Sequence, residues 1–448
     1  MVSYNGKDNT ETNQDWPERA IVLQPALGSP AVGKRNPDSM LFETIGLANA
    51  IGLEIVDSRV VNVKKTHPAT LFGPGNISEF QSQFMEKKVS LVIIGAPITP
   101  VQQRNLERKW KLKVIDRTGL IIEIFGDRAR TKEGSLQVEL AALTYQRSRL
   151  VRSWTHLERQ RGGAGFLGGP GERQLELDRR LIDQRLAKIK KQLRKVVRTR
   201  GLHRTARKRV PYPIVSLIGY TNAGKSTLFN RLTKSKVLAE DMLFATLDPT
   251  MRSLSLPSGQ NVILSDTVGF IQDLPTHLIA AFRSTLEEVV SSDLVLHVRD
   301  VSHDETEQQQ KDVNLILTDL FDNSSIGADN IPPIIEVFNK TDLLEKERYD
   351  YFQNIASRSQ NVINLSALTG EGCLGLLKKI SDYVLSEYVV LDVDVPLNDG
   401  SMLAWLYQNG DIIERRDTDQ YFHISVCLSP KNHIRYINRL SENSKNKE

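Results

Sequence analysis

Cysteine is scarce in this sequence, and long apolar runs are absent from it. The two cysteines, Cys373 and Cys427, are far apart and lack the spacing of a metal site. This argues against a disulfide scaffold or a zinc site and favours a reducing compartment. No apolar run approaches the roughly 20 residues of a membrane helix, and residues 1–16 lack the apolar core of a secretory signal. We therefore expect a cytoplasmic protein that does not span a membrane, with a disordered tail at residues 1–18.

Short β-rich runs alternate with helical patterns between residues 19 and 130. The candidate strands are residues 20–23, 53–60, 91–94 and 113–115, and the candidate helices include residues 77–87 and 100–109. This alternation predicts a small α/β domain with a mainly parallel sheet.

A Gly-Pro-Gly-Asn turn at residues 73–76 precedes one of these helices. It could bind an anion at the helix N-terminus. It could equally be a turn in which Asn76 caps the helix.

Two heptad-like patterns predict a pair of long helices between residues 131 and 210. Apolar residues recur at heptad spacing from Leu136 to Leu157 and again from Ile182 to Val196. Residues 162–171, between the two patterns, are too rich in glycine to continue a helix. The simplest structure is an antiparallel helical hairpin with a flexible tip.

The end of the second predicted helix, with the linker after it, is strongly basic. From Arg185 to Arg209 the chain carries 12 Lys and Arg residues and no Asp or Glu. A long run of positive charge beside a glycine-rich tip suits a phosphate backbone. Since Phe166 is the only aromatic residue near the tip, a structured RNA fits better than stacked single-stranded bases. The predicted RNA contacts are Arg161, Gly163, Phe166, Arg173, Arg179, Arg180, Lys190 and Lys191.

A phosphate-binding loop lies between an apolar run typical of a buried strand, residues 214–218, and the helical residues 228–232. Its spacing is GxxxxGK[ST], in which glycines let backbone N–H groups face phosphate oxygens and a helix N-terminus adds positive potential. We predict that Lys225 binds the β- and γ-phosphates and that Ser226 binds Mg²⁺. The predicted loop residues are Gly219, Tyr220, Thr221, Asn222, Ala223, Gly224, Lys225, Ser226 and Thr227.

The partner motifs of such a loop follow in the expected order. Thr246 can close on Mg²⁺ and the γ-phosphate as part of a switch, and Asp266 can hold Mg²⁺ through water while the Gly269 N–H senses the γ-phosphate. We predict Lys225, Thr246 and Gly269 as catalytic residues. The predicted nucleotide contacts beyond the loop are Phe244, Ala245, Thr246, Leu247, Asp248, Asp266, Thr267, Val268, Gly269, Asn339, Lys340, Asp342, Ser366, Ala367 and Leu368.

The last of these motifs identify the base. The carboxylate of Asp342 can accept hydrogen bonds from N1–H and the N2 amino group of guanine, a donor pair that adenine lacks. The segment from Ser366 to Leu368 would place a backbone N–H near the guanine carbonyl. The sequence therefore predicts a P-loop GTPase domain at residues 211–388.

Two residues near the phosphates suggest how hydrolysis is controlled. Phe270 follows Gly269 where Ras-like enzymes place a water-orienting glutamine, and an apolar side chain cannot orient water. We therefore hypothesise slow intrinsic hydrolysis that a partner accelerates. Asn222 could bind K⁺, or it could hydrogen-bond the backbone of a switch segment.

The pattern changes after residue 388. Strand-like residues 390–395, 412–414 and 421–428 and helix-like residues 401–409 and 432–440 predict a small α+β domain. The predicted fold is therefore a multidomain α/β protein. Its predicted parts are residues 1–18 (disordered tail), 19–130 (α/β domain), 131–210 (helical hairpin), 211–388 (GTPase domain), 389–440 (α+β domain) and 441–448 (disordered tail).

These motifs resemble the HflX family of translation-factor-class GTPases. The resemblance rests on GYTNAGKST, FATLDPT, DTVGFI and NKTD, on the segment from Gly168 to Arg180, and on Asp116-Arg117-Thr118. It implies that the N-terminal domain and the hairpin bind the large (50S) ribosomal subunit and its rRNA. It further implies that the GTP-bound protein splits or rescues stalled ribosomes, notably under heat stress. The family's ATP site in the N-terminal domain is not expected here, because residues 73–76 lack its lysine.

Two other functions are compatible with the same motifs. One is a GTPase that assists ribosome assembly or RNA modification, and the other is a nucleotide-gated module that binds a protein. We expect Mg²⁺ as cofactor, with K⁺ as a second candidate, and GTP as substrate. We expect a monomer, with neither DNA nor a membrane as partner.

Overall fold

The computed structural model describes most of the chain. The described residues are 18–27, 36–160, 170–207, 212–235, 244, 250–271, 288–322, 331–387, 389–418, 420–428 and 430–445. They form a multidomain α/β fold with three separate β-sheets. Among these residues, no helix has the length and apolarity needed to cross a membrane.

The first sheet is entirely parallel and has the strand order β2-β1-β3-β4. Parallel strands are covered on both faces, which explains why all four residues of β3 are buried. Three helix starts are defined by side-chain caps, from Asn36, Thr99 and Asp116. The elements are β1 (Arg19–Leu27), α1 (Pro37–Asn49), β2 (Glu54–Val63), α2 (Pro74–Glu86), β3 (Leu91–Ile94), α3 (Pro100–Trp110), β4 (Lys113–Asp116) and α4 (Arg117–Arg128).

The Gly-Pro-Gly-Asn turn begins α2 in an unexpected way. Gly73 is the N-cap residue and makes no side-chain cap, and Pro74 is the first helical residue. Asn76 lies inside the helix, so the prediction that Asn76 caps it is wrong. Proline in the first turn, where its missing N–H costs nothing, explains the helix start.

Two long helices form the hairpin, α5 (Lys132–Gln160) and α6 (Pro170–Arg207). Ion pairs Arg147–Asp183 and Arg185–Glu139 join them, and the numbering rises along one helix as it falls along the other. The helices are therefore antiparallel, as predicted.

Asp116 anchors the hairpin to the first sheet. It accepts hydrogen bonds from the Tyr145 hydroxyl at 2.5 Å and from Arg149 at 2.6 Å, both on α5. Burial, with the charge of Asp116, raises the pKa of Tyr145. The phenol therefore stays protonated and remains a donor to Asp116.

The second sheet has six strands in the order β10-β9-β8-β5-β7-β6, parallel except for the edge strand β6. Its core contains Leu217, Leu264, Leu296 and Val337. The elements are β5 (Ile214–Gly219), α7 (Lys225–Thr233), β6 (Thr250–Ser255), β7 (Asn261–Asp266), β8 (Leu294–Asp300), α8 (Thr306–Asp322), β9 (Ile334–Asn339), α9 (Lys346–Arg358), β10 (Val362–Asn364) and α10 (Cys373–Glu387).

The third sheet is antiparallel, with the order β11-β13-β12. Its core unites Val395, Leu406, Val426 and Tyr436 from strands and helices. The elements are β11 (Val389–Pro396), α11 (Gly400–Asn409), β12 (Gly410–Asp417), β13 (Tyr421–Leu428) and α12 (Pro430–Lys445). Residues 441–445 are helical where we predicted disorder, because no Gly or Pro ends the helix earlier.

The described residues belong to two compact units. One contains the first sheet, the hairpin up to Arg194, and Phe244. The other contains the second and third sheets. The domain boundaries given above remain predictions.

Candidate nucleotide-binding site

The phosphate loop connects β5 to α7 at the carboxyl edge of the second sheet. Two glycines shape it: a Cβ on Gly219 would lie 2.1 Å from the carbonyl oxygen of Val298, and one on Gly224 would lie 2.2 Å from Asn339 Nδ2. Gly224 also has a φ of +90°, which favours glycine. Helix α7 begins at Lys225, so its N-terminus faces the loop. The geometry fits an anion site.

Lys225 is buried within this loop, with only 6% of its surface exposed. Its Nζ donates to the carbonyl oxygens of Tyr220 at 2.7 Å and Gly219 at 3.2 Å. Burial lowers its pKa to about 8, and the carboxylate of Asp266 partly opposes that shift. A phosphate that binds beside this buried ammonium group would therefore strongly stabilise its charged form.

Ser226 and Asp266 form the candidate Mg²⁺ site. The Ser226 hydroxyl donates to Asp266 Oδ2 at 2.7 Å, and Asp266 is fully buried at the end of β7. A hydroxyl and a carboxylate are oxygen ligands of the kind that Mg²⁺ prefers. The pair therefore fits the predicted roles, with Ser226 as direct ligand and Asp266 bound through water. Thr246, the third predicted ligand, lies outside the described residues.

The segment after Asp266 is hydrogen-bonded to the phosphate loop. The Phe270 N–H donates to Gly219 O at 3.0 Å, and the Thr221 N–H donates to Phe270 O at 2.7 Å. A Cβ on Gly269 would lie 2.9 Å from Lys225 Nζ, so Gly269 is close to that ammonium. Phe270 is buried, so an apolar ring lies where Ras-like enzymes carry glutamine.

Asn339 joins the phosphate loop to the loop after β10. Its Nδ2 donates to Ala223 O at 2.8 Å, and its Oδ1 accepts from the Ala367 N–H at 2.9 Å. Lys340 has a left-handed backbone and pairs with Asp300 at 2.7 Å. Asp342 follows in a 3₁₀ turn (Thr341–Leu343) and is exposed. Three of the predicted motifs thus meet at one edge of the sheet.

Phe244 occupies a place that the sequence did not suggest. Its ring packs edge-to-face on Phe125 of α4 with 4.7 Å between ring centroids, and both rings are buried. The predicted nucleotide contacts at residues 245–248 lie outside the described residues. The side chain of Phe244 therefore has a packing role, and its contact with nucleotide stays a prediction.

Two further residues of this region are not among the predicted site residues. Arg231 on α7 donates to the carbonyl oxygens of Ala367 and Leu368. His297 is buried in β8, where burial, helped by the charges of Arg299 and Lys225, lowers its pKa to about 3. Neither residue belongs to a short motif, and only the fold brings them to the site.

The predicted RNA contacts divide into two groups. Arg179, Arg180, Lys190 and Lys191 are exposed on α6. The helix also contains Arg173. Three residues of the tip lie outside the described residues: Arg161, Gly163 and Phe166.

A phosphate loop entering a helix, a Ser–Asp pair with a buried carboxylate and an Asn-Lys-x-Asp motif at one sheet edge define a P-loop GTPase, an enzyme that hydrolyses GTP. Four family profiles match the chain. Those described as GTP-binding GTPase N-terminal and GTP-binding GTPase Middle Region match residues 38–126 and 128–207. Those described as 50S ribosome-binding GTPase and HflX C-terminal domain match residues 214–340 and 352–448.

Curated relatives point to the same family. GTPase HflX of Magnetococcus marinus is 48% identical over 420 residues, 94% of each chain. GTPase HflX of Escherichia coli is 42% identical over 82% of this chain and 84% of its own. A GTP-binding protein of Sulfolobus solfataricus, solved with GDP, aligns at 21% identity with a TM-score of 0.44 over 82% of this chain and 98% of its own. The chain belongs to the HflX family of GTPases, which confirms the predicted family.

Proposed function

We propose that this protein binds the large (50S) ribosomal subunit and uses its GTP cycle to split or rescue stalled ribosomes, with heat stress as the condition of need. The observation that carries the proposal is the match of residues 214–340 to the profile described as a 50S ribosome-binding GTPase. The exposed basic residues of α6 support rRNA as the contacted surface, because their charge suits a phosphate backbone.

Mg²⁺ is the proposed cofactor. Ser226 would bind the ion directly and Asp266 through water, and Thr246 would complete the set. Bound there, the ion would neutralise charge that develops on the β- and γ-phosphates. Lys225 adds a second positive charge, and the Gly269 N–H would report the γ-phosphate to the switch segment.

The ribosome is the proposed activator of hydrolysis. Phe270 is buried and apolar, so it supplies no group to orient the attacking water. The single-turnover hydrolysis rate of the full chain should therefore rise strongly when 50S subunits are added. Full activity of the isolated protein would overturn this part of the proposal.

K⁺ is the second proposed ion. Asn222 is exposed in the phosphate loop with a φ of +59°. It could bind K⁺ and thereby add positive charge beside the phosphates. Faster hydrolysis in KCl than in NaCl at equal ionic strength supports this role. Equal rates in the two salts would favour the alternative role, in which Asn222 hydrogen-bonds the backbone of a switch segment.

Co-sedimentation with ribosomal subunits tests the proposal as a whole. We expect 50S binding in a GTP analogue, less in GDP, with a steep decrease as salt rises. A fourfold variant with Arg179, Arg180, Lys190 and Lys191 changed to Glu should lose binding. The matched control changes four exposed basic residues of the GTPase domain to Glu and should retain binding: Lys311, Lys346, Arg358 and Lys378.

Three other results would contradict the proposal. Binding only to immature subunits would favour an assembly factor, and no subunit binding in any nucleotide would favour a protein-binding module. Binding to 50S subunits without dissociation of 70S ribosomes in a light-scattering assay would contradict ribosome splitting.

A further inference from the structure

Arg231 connects the phosphate-loop helix to the loop after β10. It lies in the last turn of α7. Its Nε donates to the carbonyl oxygen of Ala367 at 2.6 Å, and its Nη2 donates to that of Leu368. The partners are more than 130 residues apart in sequence. One guanidinium therefore fixes two consecutive peptide groups of a loop predicted to contact guanine.

Gly370 makes room for that guanidinium. A Cβ at this position would lie 2.6 Å from Arg231 Nη1. Its φ of +95° is also one that glycine adopts most easily. The Gly370 N–H donates to Ser366 O at 2.8 Å and closes the loop on itself. The loop is thus shaped to receive an arginine from α7.

The orientation of the Leu368 N–H follows from the Ala367 carbonyl. Both belong to one planar trans peptide, in which the N–H and the C=O point in opposite directions. Arg231 binds that carbonyl, while Asn339 Oδ1 binds the preceding N–H, that of Ala367. Two side chains from different elements therefore set the direction of successive N–H groups.

We propose that Arg231 is a positioning residue for guanine recognition, which holds the Ala367–Leu368 peptide so that its N–H donates to guanine O6. The inference rests on the guanine-nucleotide site and is independent of the ribosome. Arg231 touches the loop and acts on the base through it. Its loss should therefore weaken the contact with O6 and leave the phosphate and N2 contacts in place.

Binding of two nucleotides to the full chain tests this role. The first is GDP, and the second is 2-aminopurine riboside diphosphate, which retains the N2 amino group and lacks both O6 and the N1–H donor. The preference of wild type therefore reports both lost contacts, and the change caused by an Arg231 variant isolates the contact with O6. Wild type should prefer GDP. Arg231→Gln should bind GDP about tenfold more weakly, the worth of about one hydrogen bond, while its affinity for the 2-aminopurine nucleotide stays within about twofold of wild type.

Arg252→Gln is the matched control, because Arg252 is exposed on β6 at the opposite edge of the sheet. It should bind both nucleotides as wild type does. Arg231→Lys retains the charge but not the two-pronged donor geometry. Its preference for GDP over the 2-aminopurine nucleotide should lie between those of wild type and Arg231→Gln. It also serves as the test if Arg231→Gln fails to fold.

The outcomes separate the inference from the site itself. Equal losses for the two nucleotides would overturn it, because Arg231 would then only stabilise the fold. Unchanged affinities would also overturn it. A wild-type protein that binds both nucleotides equally would overturn the O6 contact, whatever the variants do.

Discussion

Asn339 and Ala223 are joined by a 2.8 Å hydrogen bond from the side-chain amide to the backbone carbonyl, which ties the end of β9 to the phosphate loop. Asn339 also accepts from the Ala367 N–H, so Asn339→Ala leaves two buried backbone groups unpaired. We expect the free energy of unfolding to fall by about 1–3 kcal/mol and GDP affinity to fall at least tenfold. Chemical denaturation and calorimetry measure the two effects. Asn354→Ala, exposed on α9, should change neither.

Nucleotide binding should be accompanied by proton uptake at Lys225. Its pKa is about 8 in the empty site, where burial disfavours the charged form, against an ordinary value of 10.5. A bound β-phosphate raises that pKa again. When the pH lies between these two values, Lys225 should therefore take up as much as one proton for each GDP that binds. Calorimetry in buffers of different ionisation enthalpy counts the protons.

The same titration near neutral pH is the first control, because Lys225 is then already charged. Lys234→Met is the second: Lys234 is exposed after α7, and its loss should leave the uptake unchanged. Absence of uptake at about pH 9 would contradict the prediction.

His297 should make the protein sensitive to mild acid. Its pKa is about 3 in the folded state and 6.5 as the ordinary value, so the unfolded chain binds more protons between these values. The stabilisation is fully present above about pH 6.5 and is lost progressively as the pH falls. The loss should reach about 2 kcal/mol at about pH 5.

Urea unfolding at about pH 7 and at about pH 5 tests the role of His297. His297→Gln should show a smaller decrease in unfolding free energy, because its side chain does not titrate. His433→Gln, on α12, should retain the wild-type decrease. Identical pH dependence in wild type and His297→Gln would contradict the assignment.

The Phe125–Phe244 contact should contribute strongly to stability. Both rings are buried, so Phe244→Ala should cost about 3–5 kcal/mol. The Phe125→Ala/Phe244→Ala double variant should cost less than the sum of the single variants, because the two rings share one contact. Phe42→Ala on α1 is the control: its ring is 81% exposed, and its loss should cost less than about 0.5 kcal/mol. Additive costs in unfolding experiments would contradict a direct interaction.

The residues of the site that belong to short sequence motifs were predictable from sequence. Lys225, Ser226 and Asp266 occupy motifs whose spacing follows from the chemistry of phosphate and Mg²⁺, and the structure brings Ser226 and Asp266 together. The antiparallel hairpin was predictable for the same reason, since heptad spacing is local.

Features that depend on tertiary contacts were not predictable. Arg231 is an ordinary helix residue until the fold brings residues 367 and 368 to it, and nothing in the sequence around Phe244 indicates that its ring packs on Phe125. Asn76 failed as a cap because the proline two residues earlier had already begun the helix. Local propensity alone could not choose between these helix starts.

The two backbone hydrogen bonds that Phe270 makes, one with Gly219 and one with Thr221, also bear on genetic variation. The phosphate loop and the segment that carries Phe270 are connected through main-chain atoms, which every amino acid except proline supplies. Substitution at either position can change the reaction rate but leaves the connection in place. Alanine scanning would therefore overlook this link. Proline at position 221 removes the bond to Phe270 O, and proline at position 270 removes the bond to Gly219 O.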